Sequence, residues 1–396
     1  MHILSTDCLA NIPGNRAIEE GGLARFSAQL ALYLKKSKHQ YTGIIIRKAD
    51  LSKPQAKSVY KRGSLEYIDL TFPKKLAVKV RKANQPIDPT AVLSKVIELI
   101  REQLRTLKPD IVLINGMFLS PWLLLIAAHK EGIPVVQLHA GILHIEVDTY
   151  AEYYTSHTEN LLKRFETDSA TLATKQVFLN SYSEEVFQKT VLRTSKSKRC
   201  IIPLPTPFSK ASKKKPRSKN THKNINVGLV ARWDRIKNHN AVLALAEEID
   251  AQKLPIKLHV ITTILESNKL QKMKKRYREL IEVHKPTDSK GILKFFSTMD
   301  IAILPSLFDV SPTVVLEAAS QGIGTIISSS VGWVNHYRKT GNAEWIGDFN
   351  KPKTIVKKIE KLAGTPLSAK LISLFEKEHD PEKIFKQYIK LFKSLI

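Results

Sequence analysis

The chain of 396 residues is long enough for two domains, each with its own buried core. With 43% hydrophobic and 25% charged residues it is neither a fibre nor a disordered chain. Two cysteines, Cys8 and Cys200, are too few for a disulfide framework or a ligand cluster, so a reducing, cytoplasmic compartment is the expectation.

The start of the chain, Met1-His2-Ile3-Leu4-Ser5, lacks the basic segment and long apolar stretch of a signal peptide. Short apolar runs then alternate with longer amphipathic segments, the pattern of βα units around a parallel sheet. In the first half the predicted strands are Ile3–Thr6, Ile44–Arg47, Ile111–Asn115, Val135–His139 and Val177–Asn180. Predicted helices lie between them, over Gly22–Lys36 with its stripe Leu23, Phe26, Leu30 and Leu34, and over Val92–Leu107 with Val96, Ile100 and Leu104. The most apolar region, Ile111 to Ala128, contains Asn115, Gly116, Ser120 and Pro121, so it reads as strand, turn and helix and not as a membrane span.

The pattern stops where Pro203, Pro205, Pro207 and Pro216 block regular structure. It resumes with predicted strands Val227–Ala231, Leu258–Thr262, Ile281–His284, Ile301–Pro305, Thr325–Ser328 and Glu344–Ile346. The simplest organisation is two α/β domains, 1–203 and 225–381, joined by a linker over 204–224. Between Arg193 and Asn224 there are eleven Lys or Arg residues and no Asp or Glu. Such a run is either a solvated linker or an attachment to anionic lipid. The formal net charge of +26 biases the chain toward polyanions, which include nucleic acid, an anionic membrane and phosphorylated substrates. No nucleic-acid motif is present and the aromatics are not interleaved with the basic run, so nucleic acid is not expected.

Ligands in open α/β sheets bind beyond the carboxyl ends of the strands, and four segments there carry chemistry. The strongest runs from Pro305 through Asp309, Ser311-Pro312-Thr313-Val314 and Glu317 to Gly322. Ser311 is a predicted N-cap, Pro312 suits the first helical position and Gly322 suits the exit. The amides of Thr313 and Val314 would then be open to a phosphate, with Asp309 and Glu317 ready to accept sugar hydroxyls. An ordinary capped helix with two surface acids fits the same spacing. The second segment, Arg232-Trp233-Asp234-Arg235-Ile236-Lys237, follows a strand. Arg232 and Lys237 suit a diphosphate, or are surface cations of a basic protein. The third, Glu20-Gly21-Gly22-Leu23, lets backbone approach a ligand or simply opens a helix; it lacks the dinucleotide-binding glycine spacing. The fourth, His139-Ala140-Gly141, ends a strand with a histidine that is either structural or in contact with substrate. His144, Glu146 and Asp148 nearby lack the spacing of a zinc protease motif, and no metal is expected there.

Together these segments resemble the retaining glycosyltransferases of family 4, also known as glycosyl transferases group 1. The resemblance spans essentially the whole chain and is most specific from Ile225 to Ile346, in Arg232…Lys237 and in the acid-x7-acid block Asp309 to Glu317 after Asp300-Ile301-Ala302-Ile303-Leu304-Pro305-Ser306. It includes Gly21-Gly22, His139-Ala140-Gly141, Phe178-Leu179-Asn180-Ser181 and Ile201-Ile202-Pro203. It implies the GT-B architecture, two Rossmann-like domains whose parallel sheets face each other across a cleft, with a final helix over 382–396 packed back on the first domain. Arg232, Lys237 and the Thr313 and Val314 amides would hold the diphosphate of a nucleotide-sugar donor. Glu317 would bind ribose, Asp309 the donor sugar, and His139 and Gly21-Gly22 the sugar and acceptor. A cationic clamp of this kind needs no metal or other cofactor. The implied acceptor is a lipid-linked glycan or a cell-surface polysaccharide precursor, handled in the cytoplasm or on the inner face of the membrane. One departure stands out: the family motif usually begins with Glu, and here it begins with Asp309. Nucleotide-sugar epimerases share the architecture, and a non-catalytic protein binding anionic membrane or nucleic acid through its charge is the alternative of another class.

Overall fold

The apolar, β-branched runs form strands buried on both faces, as parallel sheets covered by helices require. In the computed structural model residues 1–7, 21–62, 65–82, 87–206, 224–263 and 268–396 are described. The chain divides into two units, Met1–Pro205 with Pro381–Ile396, and Thr206–Asp380. Most of the linker predicted over 204–224, and with it the densest part of the basic run, lies outside the described residues.

Unit 1 holds β1 (His2–Thr6), β2 (Gln40–Ala49), β3 (Gln55–Arg62), β4 (Leu65–Pro73), β5 (Ile111–Asn115), β6 (Val135–His139), β7 (Lys175–Phe178) and β8 (Arg199–Ile201). They form one sheet in the order β3-β4-β2-β1-β5-β6-β7-β8, parallel except for the edge pair β3 and β4. The sequence pattern does not predict β3, β4 or β8. In β4 the signal is broken by Asp69, which is buried and paired through two oxygens with the Arg47 guanidinium, at 2.8 and 2.5 Å. The expected helix over 92–107 is two segments, Pro89–Val92 and Ser94–Leu107, joined at the fully buried Leu93.

The apolar stretch after β5 turns at Gly116, where φ is +74°, and continues as the helix Leu119–Lys130. Every residue from Trp122 to Ala128 is buried in the core of unit 1, and the Trp122 indole N–H donates to Asp168 at 2.8 Å. Among the described residues no helix is long and apolar enough to cross a membrane. The last helix, Pro381–Lys393, lays Phe385 and Tyr388 against the helix Gly21–Lys36. Ring centroids lie 5.2 Å apart for Phe26 and Tyr388 and 5.1 Å apart for Tyr33 and Phe385.

Unit 2 is an all-parallel sheet of β9 (Ile225–Val230), β10 (Ile256–Ile261), β11 (Ile281–His284), β12 (Ile301–Leu304), β13 (Thr325–Ser328) and β14 (Ile346–Gly347). Its order is β11-β10-β9-β12-β13-β14. Counted from the start of the unit this is the doubly wound 3-2-1-4-5-6 order, with the reversal between β9 and β12. The last predicted strand, Glu344–Ile346, is instead a 3-10 turn over Ala343–Trp345 leading into the short β14. The turn inserts Trp345 beneath Gly324, where an added Cβ would lie 2.1 Å from the indole ring.

Removing a buried aromatic ring leaves a cavity that its neighbours fill only in part. Phe385→Ala should therefore destabilise unit 1 by about 3–5 kcal/mol in urea denaturation. A loss under about 1 kcal/mol would show that the final helix contributes little.

Candidate functional site

Reversal of strand order sends the chain away in opposite directions on either side of β9 and β12, and opens a crevice at their carboxyl ends. The loop after β9 carries Arg232 and Lys237; the loop after β12 carries Asp309 and feeds the helix Thr313–Ser320. Three bonds join the two loops. Lys237 Nζ forms an ion pair with Asp309 Oδ2. The Asn238 side-chain amide donates to the Pro305 carbonyl at 3.1 Å, and the Leu307 N–H donates to the Ile236 carbonyl at 2.8 Å.

Local structure explains this alignment. Asp234 caps the turn Arg235–Lys237, accepting the Lys237 N–H at 3.2 Å, while its carbonyl accepts from His239 Nδ1 at 2.8 Å. Asn238 then takes a left-handed conformation, φ 55°, which Asn tolerates better than most side chains and which starts the next helix. Lys237 and Asp309 are largely shielded, with 20% and 14% of their side chains exposed. Arg232 is 65% exposed and lies 3.3 Å from Asp234, a surface pair of small intrinsic worth that leaves the guanidinium accessible.

A third loop, after β13, braces the second. The Asp309 N–H donates to the Ser330 carbonyl at 3.2 Å, the Gly332 N–H donates to the Asp309 carbonyl at 2.8 Å, and Ser328 Oγ donates to the Ser306 carbonyl at 2.5 Å. The Trp333 indole N–H donates to the Pro312 carbonyl at 3.1 Å. These ties shift the helix start by one residue from the expected position. Pro312 is the N-cap, with Thr313 and Val314 in the first turn, and Ser311 makes no capping bond. Among the described residues the buried Oγ atoms of Ser306 and Ser311 have no hydrogen-bond partner. First-turn amides have no acceptor within their own helix, which gives this end its affinity for anions. Glu317 sits one turn further in, buried in the helix, and the chain leaves at Gly322, where φ is +74°.

The structure therefore brings Lys237, Asp309, Thr313, Val314 and Glu317 onto adjoining segments, with Arg232 on the same loop as Lys237. Residue patterning missed Asp234 and Asn238, which shape the first loop, and Ser330 and Gly332, which hold the second. Asp234 is readable after the fact as an N-cap three residues before Lys237. The Ser330 and Gly332 contributions have no sequence signal, because both are made by backbone.

His139 is placed differently. It ends β6, yet its ring is only 2% exposed, stacked on Phe178 at 4.9 Å and against Phe187 at 4.4 Å, with Nε2 donating to Gln176 Oε1. Burial pushes its pKa down and holds the imidazole neutral. The aromatic packing that fills this end of the sheet encloses the ring, so the contact with sugar or acceptor expected of His139 is not offered by an exposed side chain. His144 is likewise engaged, with Nδ1 2.6 Å from the buried Glu166, which also accepts the Leu143 and His144 amides at 2.8 Å. The nearby Asp148 pairs with Lys163, so this segment is a network of structural bonds.

Unit 1 has a crevice of its own. A cavity of about 200 Å³ is lined by Thr6, Asp7, Ser27 and Asn115, with Leu23 and Ile44 among its apolar members. The Asn115 amide nitrogen donates to the Thr6 carbonyl at 3.0 Å and to Ser27 Oγ at 3.1 Å, while its buried Oδ1 has no partner among the described residues. Gly21 opens the helix that contributes Leu23 and Ser27, with Gly22 following it. Glu20 lies outside the described residues.

Residues 210–378 match the family model of the glycosyl transferases group 1. A protein of Bacillus subtilis (strain 168) described as "Putative glycosyltransferase EpsF" is 27% identical over 105 residues, a match spanning 26% of this chain and 27% of that protein. Among solved structures, the sucrose-phosphate synthase of Thermosynechococcus elongatus superposes with a TM-score of 0.73 at 14% identity, covering 100% of this chain and 99% of the other. A UDP-forming trehalose-phosphate synthase from Burkholderia xenovorans gives 0.69 at 13% identity over 100% and 99% of the two chains. An E. coli trehalose-6-phosphate structure bound with UDP-2-fluoro glucose gives 0.67 at 15% identity, also over 100% and 99%. At such identities the likeness is one of fold, the GT-B architecture.

The Lys237–Asp309 pair is shielded enough for its loss to be felt in stability. A double-mutant cycle of Lys237→Met and Asp309→Asn, read by chemical denaturation, should give a coupling of about 1 kcal/mol or more. Additive effects would mean that the two loops are held by the Asn238 and Leu307 bonds alone.

Proposed function

We propose, from the match of residues 210–378 to the family model of the glycosyl transferases group 1, that this chain is a retaining glycosyltransferase that moves a sugar from a nucleoside-diphosphate donor to a lipid-linked glycan or polysaccharide precursor. The observation that carries the proposal is the bonding of the Lys237 loop to the Asp309 loop at the β9–β12 switch point. That arrangement sets a lysine ammonium beside the segment leading into a helix N-terminus, a preformed electropositive end for a diphosphate.

Arg232 and Lys237, with the Thr313 and Val314 amides, are assigned to the diphosphate, where they offset the charge that builds as it departs. An ammonium has three donors, so Lys237 keeps hydrogen-bonding capacity beyond its bond to Asp309. Glu317 is assigned to the ribose hydroxyls and Asp309 to the donor sugar. The transfer itself needs no metal in this scheme, because fixed cations and amides supply the electrostatic stabilisation. Acceptor recognition is assigned to the unit 1 cavity, whose Ser27, Asp7 and Asn115 suit sugar hydroxyls. The basic run over 193–224 is assigned to peripheral attachment at an anionic membrane surface, which its charge supports.

Release of nucleoside diphosphate from a panel of UDP-, GDP-, ADP- and dTDP-sugars is the direct assay. One donor should turn over, with kcat/KM lowered about 100-fold or more in Arg232→Ala and in Lys237→Ala, and unchanged by EDTA. Full activity in both variants would overturn the clamp. Binding to phosphatidylserine vesicles should weaken steeply with salt; equal binding to neutral vesicles would remove the membrane assignment.

A further inference from the structure

Away from the donor loops, the edge of the unit 2 sheet carries a cluster of three ligand-type side chains. His259 of β10 stands opposite Glu282 of β11 in the parallel register, and His284 lies two residues further along β11. Side chains two apart share a sheet face, so all three project to the same side. His259 Nδ1 is 3.1 Å from His284 Nε2, Glu282 Oε2 is 3.8 Å from His259 Nδ1, and Glu282 Oε1 is 3.6 Å from His284 Nε2. All three ligand atoms fall within 4.8 Å of one another.

These separations match a metal site. Zinc binds imidazole nitrogen and carboxylate oxygen at about 2.0–2.2 Å in a tetrahedron, which places ligand atoms about 3.3 Å apart. The outer contacts also fit. His259 Nε2 donates to Asn226 Oδ1 at 3.1 Å, which fixes the tautomer with the Nδ1 lone pair turned toward His284 and Glu282. The Asn226 N–H is itself bonded to Asp300 at 2.8 Å, so the orienting group is held at the start of β9. The His284 ring is packed edge-on against Phe295 at 5.4 Å.

We propose that His259, Glu282 and His284 form a binding site for a divalent transition-metal ion, zinc being the ion whose geometry they fit, which clamps edge strand β11 to β10 and leaves a fourth position for water or an added ligand. Without metal the cluster is closed by two substitutes. The His284 Nε2 proton lies between the two imidazoles, and the Lys257 ammonium bonds Glu282 at 2.7 Å. Entry of the ion moves the His284 proton from Nε2 to Nδ1, a change of tautomer with no net charge, and displaces Lys257 from the carboxylate. Lys257 is therefore a built-in competitor, and its removal distinguishes a metal site from a chance cluster.

The test uses the full chain, stripped with chelator and titrated calorimetrically with zinc chloride in excess magnesium, with bound zinc measured after desalting. One zinc per chain is expected. Affinity should fall about 10–100-fold in Asn226→Ala, which removes only the orienting group, and at least as much in Glu282→Gln. Lys257→Met should bind more tightly than the parent chain. Glu282 is half-exposed, so its variant reports on binding and not on folding. No zinc retained by the parent chain, or the same affinity in Glu282→Gln and Lys257→Met as in the parent, would overturn the proposal.

Discussion

The structure of unit 2 hinges on the place where strand order reverses, between β9 and β12. Neighbouring strands there send their following loops to opposite sides, which leaves polar backbone at the sheet end without a covering helix. The chain meets that constraint with a charge pair and two backbone-directed bonds: Lys237 to Asp309, Asn238 to Pro305, and Leu307 to Ile236. The third loop, after β13, fastens the second through Ser330, Gly332 and Trp333. Every residue assigned to the donor diphosphate belongs to, or directly follows, one of these tied loops. Loops tied in this way would let the proposed clamp act without reorganising as a leaving group departs.

Much of this was legible in the residues. Ile301–Leu304 and Thr325–Ser328 are short and apolar, so their strands and the loops after them were readable. Asp309 and Glu317 stood out because a proline and a glycine bracket the helix between them. What could not be read was bonding made by backbone or across long sequence distances. The Ser330–Gly332 clasp has no side-chain signature, and the buried Asp69, paired with the more exposed Arg47, interrupts the apolar run of β4. The surroundings of His139 were unreadable for the converse reason. A histidine at a strand end signals chemistry, yet Phe178 and Phe187, distant or unremarkable in sequence, enclose its ring. The Ser311 cap failed by one residue, because Trp333 fixes the Pro312 carbonyl.

The two ends of the unit 2 sheet thus do different work. At the switch point, cations and helix amides face a site suited to an anion. At the β11 edge, two imidazoles and a carboxylate are suited to a cation, with Lys257 in its place when metal is absent. An exposed edge strand is a liability that proteins commonly cover or charge, and a cross-strand metal clamp is another way to hold it. The net charge of +26 acts at longer range, biasing the chain toward polyanions without choosing among them.

Hydrogen exchange with and without saturating nucleoside diphosphate is the most direct test of the central claim, because it reports on the loops without requiring the acceptor. The account predicts that one nucleotide slows exchange in three segments together, 231–238, 305–317 and 328–333, and that Lys237→Ala abolishes this protection. Protection confined to other segments of unit 2, or none with any nucleotide at millimolar concentration, would contradict it.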